Sequence, residues 1–245
     1  MTQPLYALGD IHGQFDMLQE ALAWIEHDGG HDAALVFVGD LTDRGPRSRE
    51  VITFLIDQIA AGKNWTVIKG NHDRMFGWFL QDYPKIDIEL PVGIDWLNPR
   101  LGGDKTLASY GVHIDASSRY YQVHAAARAA VPAGHLAFLN SLPLNYQTED
   151  YIFVHAGIRP EVALFDQTEH DLLWIREPFL NHSAAHAKLI VHGHTALETP
   201  QLYHNRLNLD GGAGYGRPLT PVVLDNKTMF RLGPKGRDRL ETCAL

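Results

Sequence analysis

The chain is almost without cysteine: Cys243 is the only one in 245 residues. No intramolecular disulfide can form, so a disulfide-stapled scaffold is excluded and a reducing compartment suits the composition. No apolar run approaches the roughly 18 residues needed to span a bilayer; Ala33–Val38 is typical of what occurs. The opening Met1-Thr2-Gln3-Pro4 lacks a basic stretch followed by an apolar one, so no secretory signal is expected. Basic charge is also short, with 21 Lys and Arg against 29 Asp and Glu, a formal net charge of −8. That balance argues against general nucleic-acid binding, which needs a positive field. Long repeats and low-complexity tracts are missing. The expectation is a soluble, cytoplasmic protein with neither nucleic acid nor membrane as partner. What remains is ordinary globular composition, 45% hydrophobic and 20% charged, together with 14 histidines. Histidine is the commonest metal ligand and the near-neutral acid or base, so the placement of these residues matters.

Apolar periodicity outlines the organisation. Leu5–Leu8 reads as a strand that stops at Gly9. Phe15, Leu18, Leu22 and Ile25 lie at helical spacing, which predicts a helix over Gln14–His27. Ala34–Val38 and Trp65–Ile68 read as further strands. Between them, Pro46 opens a helix striped by Val51, Ile52, Leu55, Ile56 and Ile59. This strand–helix–strand–helix–strand order predicts a largely parallel α/β arrangement. Residues 74–150 are less regular, with helices expected at Met75–Tyr83, Lys105–Tyr110 and Ala133–Ser141. They read as a cap-like insertion within a single domain spanning 1–245. Tyr151–Val154 and Leu189–Val191 return as buried strands. Gln201–Tyr203, Arg206–Leu209, Thr220–Leu224 and Thr228–Leu232 read as short antiparallel strands, and Lys235–Arg239 as a solvated tail.

Polar residues fall where these strands end. The blocks are Gly9-Asp10-Ile11-His12-Gly13, Gly39-Asp40-Leu41-Thr42-Asp43-Arg44-Gly45, Gly70-Asn71-His72-Asp73, His155-Ala156-Gly157 and His192-Gly193-His194-Thr195. Singly, each reads as a turn or a structural histidine. Together, five strands deliver carboxylate, amide or imidazole at their carboxyl ends, the edge where open α/β sheets bind ligands. Mixed oxygen and nitrogen donors without cysteine disfavour a closed structural zinc site. They suit an open catalytic site, with donors enough for two ions.

These blocks resemble those of the phosphoprotein phosphatase family within the calcineurin-like metallophosphoesterases, in its bacterial and phage serine/threonine phosphatase branch. The resemblance spans residues 9–195 and implies a central β-sandwich flanked by helices. It implies two divalent cations, manganese first, with iron or zinc as alternatives. Asp10, His12 and Asp40 would hold one ion; Asp40, Asn71, His155 and His194 would hold the other, with Asp40 shared. A metal-bridging hydroxide would be the nucleophile. His72 resembles the general acid and Asp43 its partner, while Arg44 resembles a bidentate phosphate clamp. Asn71 would also face the phosphate. Arg176 resembles a second clamp, with Arg159 left open as the alternative. Tyr215 lies where the family places a loop near the site. Asp73 stands where eukaryotic members have Glu and is expected to support rather than ligate. His192 is either a supporting residue or an alternative ligand to His194. The remaining histidines are expected to be structural or solvent-facing, and Trp24, Trp78, Phe79 and Trp174 to be core.

The function implied is hydrolysis of phosphomonoesters, foremost phosphoserine and phosphothreonine in proteins. A first alternative is a nucleotide hydrolase resembling symmetrical diadenosine tetraphosphatase, or another small phosphoester hydrolase. Those relatives typically carry Gln in place of His12 and lack the Asp43 equivalent, which counts against it. A second alternative is a non-catalytic interaction scaffold, but every expected ligand position is filled. Oligomeric state stays open.

Overall fold

The structure is a computed structural model and describes residues 3–244. Two sheets stack face to face. The first holds β1 (Leu5–Leu8), β2 (Ala34–Phe37), β3 (Trp65–Val67), β9 (Val222–Asp225), β10 (Thr228–Gly233) and β11 (Gly236–Arg239) in the order β11-β10-β9-β1-β2-β3. The second holds β4 (Asn145–Gln147), β5 (Tyr151–Val154), β6 (Leu189–His192), β7 (Gln201–Leu202) and β8 (Arg206–Asn208) in the order β4-β5-β6-β8-β7. Strands β1, β2 and β3 run parallel, as do β5, β6 and β8. Helices α1 (Phe15–Gly29) and α2 (Ser48–Ala60) cross between the parallel strands of the first sheet.

Side-chain alternation explains the layers. Successive residues of a strand face opposite sides of the sheet. In β1 and β2, Tyr6, Leu8, Leu35 and Phe37 turn toward the helices and join Leu18, Ile25, Ile52 and Leu55 in one core. Ala7 and Val36 turn inward and meet Phe153, Val191, Leu207 and Val222 in the core between the sheets. Val154 and Ile190 face outward from the second sheet onto Leu172, Ile175 and Phe179. The central strands β1, β2, β5, β6 and β9 are buried on both faces, so their sequences are continuous apolar runs rather than alternating ones. The β-sandwich flanked by helices implied by the resemblance is the architecture found.

Several local expectations need correction. The helix expected at Met75–Tyr83 begins earlier, as α3 (Asn71–Phe79). Its polar first turn hides the periodicity, but the Asp73 carboxylate accepts the Gly70 N–H (2.9 Å) and satisfies a free donor at the helix start. Helix α5 (Tyr120–Ala130) was not expected, because its alanine-rich stripe buries only Val123 and Ala127. Helices α4 (Gly103–Ser109) and α6 (Ala133–Ser141) fall close to the expected places, and α7 (Glu169–Trp174) precedes Arg176. Within 74–150, Phe76, Trp96, Leu107, Val123 and Leu139 pack into the same core as α1 and α2. The presumed tail at Lys235–Arg239 is instead β11, paired antiparallel with β10. Arg237 anchors it through ion pairs with Asp28 (2.8 Å) and Asp225 (2.7 Å). Charge on an edge strand protects it from pairing with other chains, and it also disguises the strand in the sequence.

Candidate active site

The carboxyl ends of the parallel strands converge on one edge of the sandwich. β1 runs into Asp10 and His12, β2 into Asp40 to Arg44, and β3 into Asn71 and His72. β5 runs into His155 and β6 into His194. A sixth strand, β8, runs into Asp210, which sequence reasoning passed over. The signal was the same as elsewhere, an acid followed by Gly211-Gly212 directly after a strand.

The turns that present these residues are strained. His12 (φ +48°), Asp40 (+51°), Asp43 (+73°), Arg44 (+64°) and His194 (+64°) all adopt left-handed backbone. Outside the site, only Glu161, Asn226 and Lys227 do so among the described non-glycine residues. Left-handed non-glycine residues are uncommon and cluster where function demands a particular side-chain aim. Glycines make the close approaches possible: a Cβ on Gly70 would collide with Asp40 Oδ1, and one on Gly193 with Asp10 Oδ1.

The imidazoles are fixed in orientation. His12 Nδ1 lies 2.8 Å from Thr42 O, and His155 Nδ1 lies 2.8 Å from Val38 O. A carbonyl accepts only, so both rings carry the proton on Nδ1 and aim the Nε2 lone pair inward. Those lone pairs face the two oxygens of a single carboxylate. His12 Nε2 is 3.5 Å from Asp40 Oδ2, and His155 Nε2 is 3.4 Å from Asp40 Oδ1. Asn71 Oδ1 lies 2.8 Å from His155 Nε2 and 3.1 Å from His194 Nδ1. Ligand atoms of His12, Asp40 and His72 fall within 4.8 Å of one another, as do those of Asp40, His155 and His194.

Burial drives the titration of this cluster. It pushes the Asp10 and Asp40 carboxyls well up, helped at Asp10 by Asp210 and Asp40 and at Asp40 by Asp73. It pushes His155 down to about 3 and holds His12 and His194 well below the usual imidazole range. The Nε2 lone pairs of His12 and His155 thus converge on the Asp40 carboxyl oxygens. Electron-pair donors converging in this way fit divalent cations, whose ligating histidines characteristically donate their other ring N–H to backbone carbonyls. The donor set therefore suits the two-cation arrangement, with Asp40 between the two groups.

Beside this cluster is a cavity of about 470 Å³. Its wall includes Asp40, Arg44, Asn71, His72 and His194. Arg44 donates to His12 Nε2 (2.6 Å) and His72 Nε2 (3.1 Å), and its guanidinium lies 4.9 Å from the centre of the Tyr215 ring. Arg176 also lines the cavity, whereas Arg159 is paired with Asp171 (2.6 Å) and is not on the wall. Arg217 lines it too and was missed, its glycine-rich context concealing a charged wall residue. Trp174, expected in the core, packs partly there but also lines the cavity, edge-on to His194 with ring centres 5.7 Å apart. Its Nε1–H donates to Asp87 (3.0 Å), which Arg74 also binds (2.6 Å). His192 stands outside the donor groups, its ring 5.1 Å from that of Phe179. Asp73 supports the turns by accepting from Gly70 and Leu41. Behind His72, Asp43 is fully buried, with Oδ2 2.6 Å from His72 Nδ1.

Residues 4–218 match the family model for calcineurin-like phosphoesterases. The chain belongs to that family. It is accordingly a metal-dependent phosphoester hydrolase by descent. Among curated proteins it is 25% identical over 240 residues to bis(5'-nucleosyl)-tetraphosphatase PrpE [asymmetrical] of Anoxybacillus flavithermus, covering 88% of each chain. It is 27% identical over 223 residues to serine/threonine-protein phosphatase 1 of Salmonella typhimurium, covering 88% of this chain and 89% of that one. Among solved structures it resembles the cold-active protein-tyrosine phosphatase of a Shewanella species, with TM-score 0.63, 20% identity, and coverage of 98% of this chain and 81% of that one. That likeness establishes the fold alone. No helix among the described residues is long and apolar enough to cross a membrane.

Proposed function

We propose that the protein is a two-metal phosphomonoesterase for alkyl phosphates, foremost phosphoserine and phosphothreonine in proteins, acting in the cytoplasm. The observation that carries this reading is the buried His72–Asp43 pair (2.6 Å), whose imidazole lies on the cavity wall. An alkoxide is a poor leaving group and needs a proton in the transition state, whereas a phosphoanhydride leaving group needs little. A site that maintains an acid beside the phosphate pocket is built for the first.

Asp10, His12 and Asp40 would hold one cation, and Asp40, Asn71, His155 and His194 the other; manganese is the first choice for this oxygen and nitrogen set. When bound, the ions make water nucleophilic at neutral pH and neutralise phosphoryl charge. The protein's own groups do the rest. Arg44 and Arg176 grip non-bridging phosphoryl oxygens, orienting the ester with its leaving oxygen toward His72 Nε2. In the free protein, burial and the Arg44 charge push the His72 imidazole well down. A dianionic phosphate on Arg44 removes much of that repulsion, so the ring can carry a second proton beside the Asp43 carboxylate. Water attacks phosphorus, keeping one proton in the new P–OH and releasing the other to solvent; the P–O bond to the alcohol breaks, and the departing alkoxide takes the proton from His72 Nε2, which solvent then restores.

A second reading, a nucleoside polyphosphate hydrolase, is favoured by Arg217 joining Arg44 and Arg176 on the wall beside the 61%-exposed Tyr215 ring. Three guanidiniums can hold more than one phosphate, and an exposed ring can stack a base. Side-by-side turnover of a phosphopeptide panel and diadenosine tetraphosphate by the Mn²⁺-loaded protein decides. Higher kcat/KM on phosphopeptides is the expected result, and preference for the dinucleotide overturns it.

A further inference from the structure

We infer that Trp96 and Thr106, from the segment between α3 and α4 and from α4 itself, are positioning residues that aim the general acid by clamping the Asp43 carboxylate. The inference rests on the phosphomonoester reading, because it assigns the groups that hold that reading's acid in place.

Asp43 is wholly buried, and its carboxylate accepts from three side chains. Oδ2 receives Trp96 Nε1–H (2.7 Å) and lies 2.6 Å from His72 Nδ1, while Oδ1 receives the Thr106 hydroxyl (2.8 Å). Proton bookkeeping closes around the group. The Thr106 Oγ1 proton goes to Asp43, so the Ser48 hydroxyl at 3.0 Å donates to Thr106. Both hydroxyl oxygens accept the Asp43 backbone N–H, at 2.8 Å for Thr106 and 3.2 Å for Ser48. The Trp96 and Thr106 donors favour the ionised acid against burial, which raises the Asp43 carboxyl to about 7, and His72 is the one partner that faces the cavity.

The clamp is rigid for packing reasons. The Trp96 ring is 5% exposed, stacked on Phe76 (5.1 Å, 18° between planes) and tilted against Phe79 (4.9 Å). It lies so close to Gly103 that a Cβ there would meet its ring at 2.6 Å. Gly102, with φ +87°, turns the chain where a Cβ would collide with the Arg44 backbone. Leu101-Gly102-Gly103 thus presses the clamp against the acid and the phosphate grip together. A carboxylate free to rotate would let the imidazole swing; one fixed at both oxygens holds Nε2 on the line of the leaving oxygen. Small errors of aim at such a group cost large factors in rate.

The test compares alkyl and aryl esters on the Mn²⁺-loaded protein. Trp96→Phe keeps most of the ring volume, Thr106→Val is isosteric, and each removes one donor. Each is expected to lose about tenfold in kcat on an alkyl phosphate and about twofold or less on p-nitrophenyl phosphate, with KM nearly unchanged, as partial loss of an acid implies. In an Asp43→Asn background the same changes should add almost nothing, since their effect passes through Asp43. A readout independent of turnover is the downfield imidazole N–H proton resonance of His72, identified by its loss in His72→Asn, which should shift in Trp96→Phe. Equal losses on both esters, additive losses with Asp43→Asn, or an unmoved resonance in a folded variant overturn the clamp. If His72→Asn itself shows no ester selectivity, it is the general-acid reading that fails, whatever the clamp variants do.

Discussion

Two regions of this molecule bury acids beside bases, and they do so in opposite ways. Where β11 meets α1, Arg237 binds both Asp28 and Asp225, and the Tyr6 hydroxyl donates to Asp28 (2.6 Å). Although burial pushes Asp28 up, those hydrogen bonds outweigh it and hold the carboxyl below its usual range. At the carboxyl edge of the parallel strands, Asp10, Asp40 and Asp210 lie together, and burial pushes all three up. The neighbouring imidazoles turn lone pairs, not protons, toward them. The first region is internally balanced and contributes to the fold. The second gathers raised carboxyls and imidazole lone pairs, an arrangement that suits added positive charge.

The sharpest way to break the contrast is Asp40→Asn. Removing the carboxylate between the two donor groups should lower both bound-metal stoichiometry and kcat/KM, the latter by at least about 10³-fold. Elemental analysis and kinetics read this, and unchanged metal content would end the bridging assignment. Next in size, His72→Asn should cost about 10²-fold on an alkyl phosphate and far less on p-nitrophenyl phosphate.

Cation addition probes the imbalance directly. At one hundred times Kd, a single site adds about 2.7 kcal/mol, a rise of several degrees in Tm at about 2–4 °C per kcal/mol for this size. The gain should be larger at pH 8 than at pH 5.5. In the metal-free fold burial raises the Asp10 and Asp40 carboxyls and depresses the imidazoles, so cations compete with protons chiefly at the carboxyls. The metal-free protein itself is pulled two ways. Raised carboxyls lose stability as pH climbs above the ordinary carboxylate range, and depressed imidazoles lose it as pH falls through about 6.5. A cation gain independent of pH would contradict the upward shift of these carboxyls.

The smallest effect belongs to the balanced region. Arg237→Ala should cost about 1 kcal/mol and leave turnover untouched. The Asp28 contribution is present above its unfolded pKa of about 3.9 and lost as pH falls through the lower folded value. The gap between the melting curves of wild type and variant should therefore narrow as pH falls below about 3.9. Loss of phosphatase activity in this variant would dissolve the distinction between the regions.

Much of the site was legible because its chemistry is tied to strand ends. Asp10, Asp40, Asn71, His155 and His194 each follow an apolar run, with glycine adjacent or, at His155, two residues on, and that pattern survives in one dimension. Residues that act from elsewhere left no such trace. Trp96 and Thr106 lie in irregular sequence, and their link to Asp43 spans 53 and 63 positions. Asp210 was readable in principle but lacked a histidine to draw notice. Arg159 and Arg176 look alike in sequence; only the fold sends one to Asp171 and the other to the cavity wall. β11 was hidden because ion pairing, not apolar period, holds it.

By itself the chain determined its buried strands, the order of its polar blocks and the chemical types available at their ends, since these follow from local periodicity and side-chain identity. The three-dimensional arrangement decided which lone pairs oppose one another, which arginine lines the cavity and which side chains surround Asp43. Those depend on distances between residues far apart in sequence, which backbone strain and core packing set and no local pattern encodes.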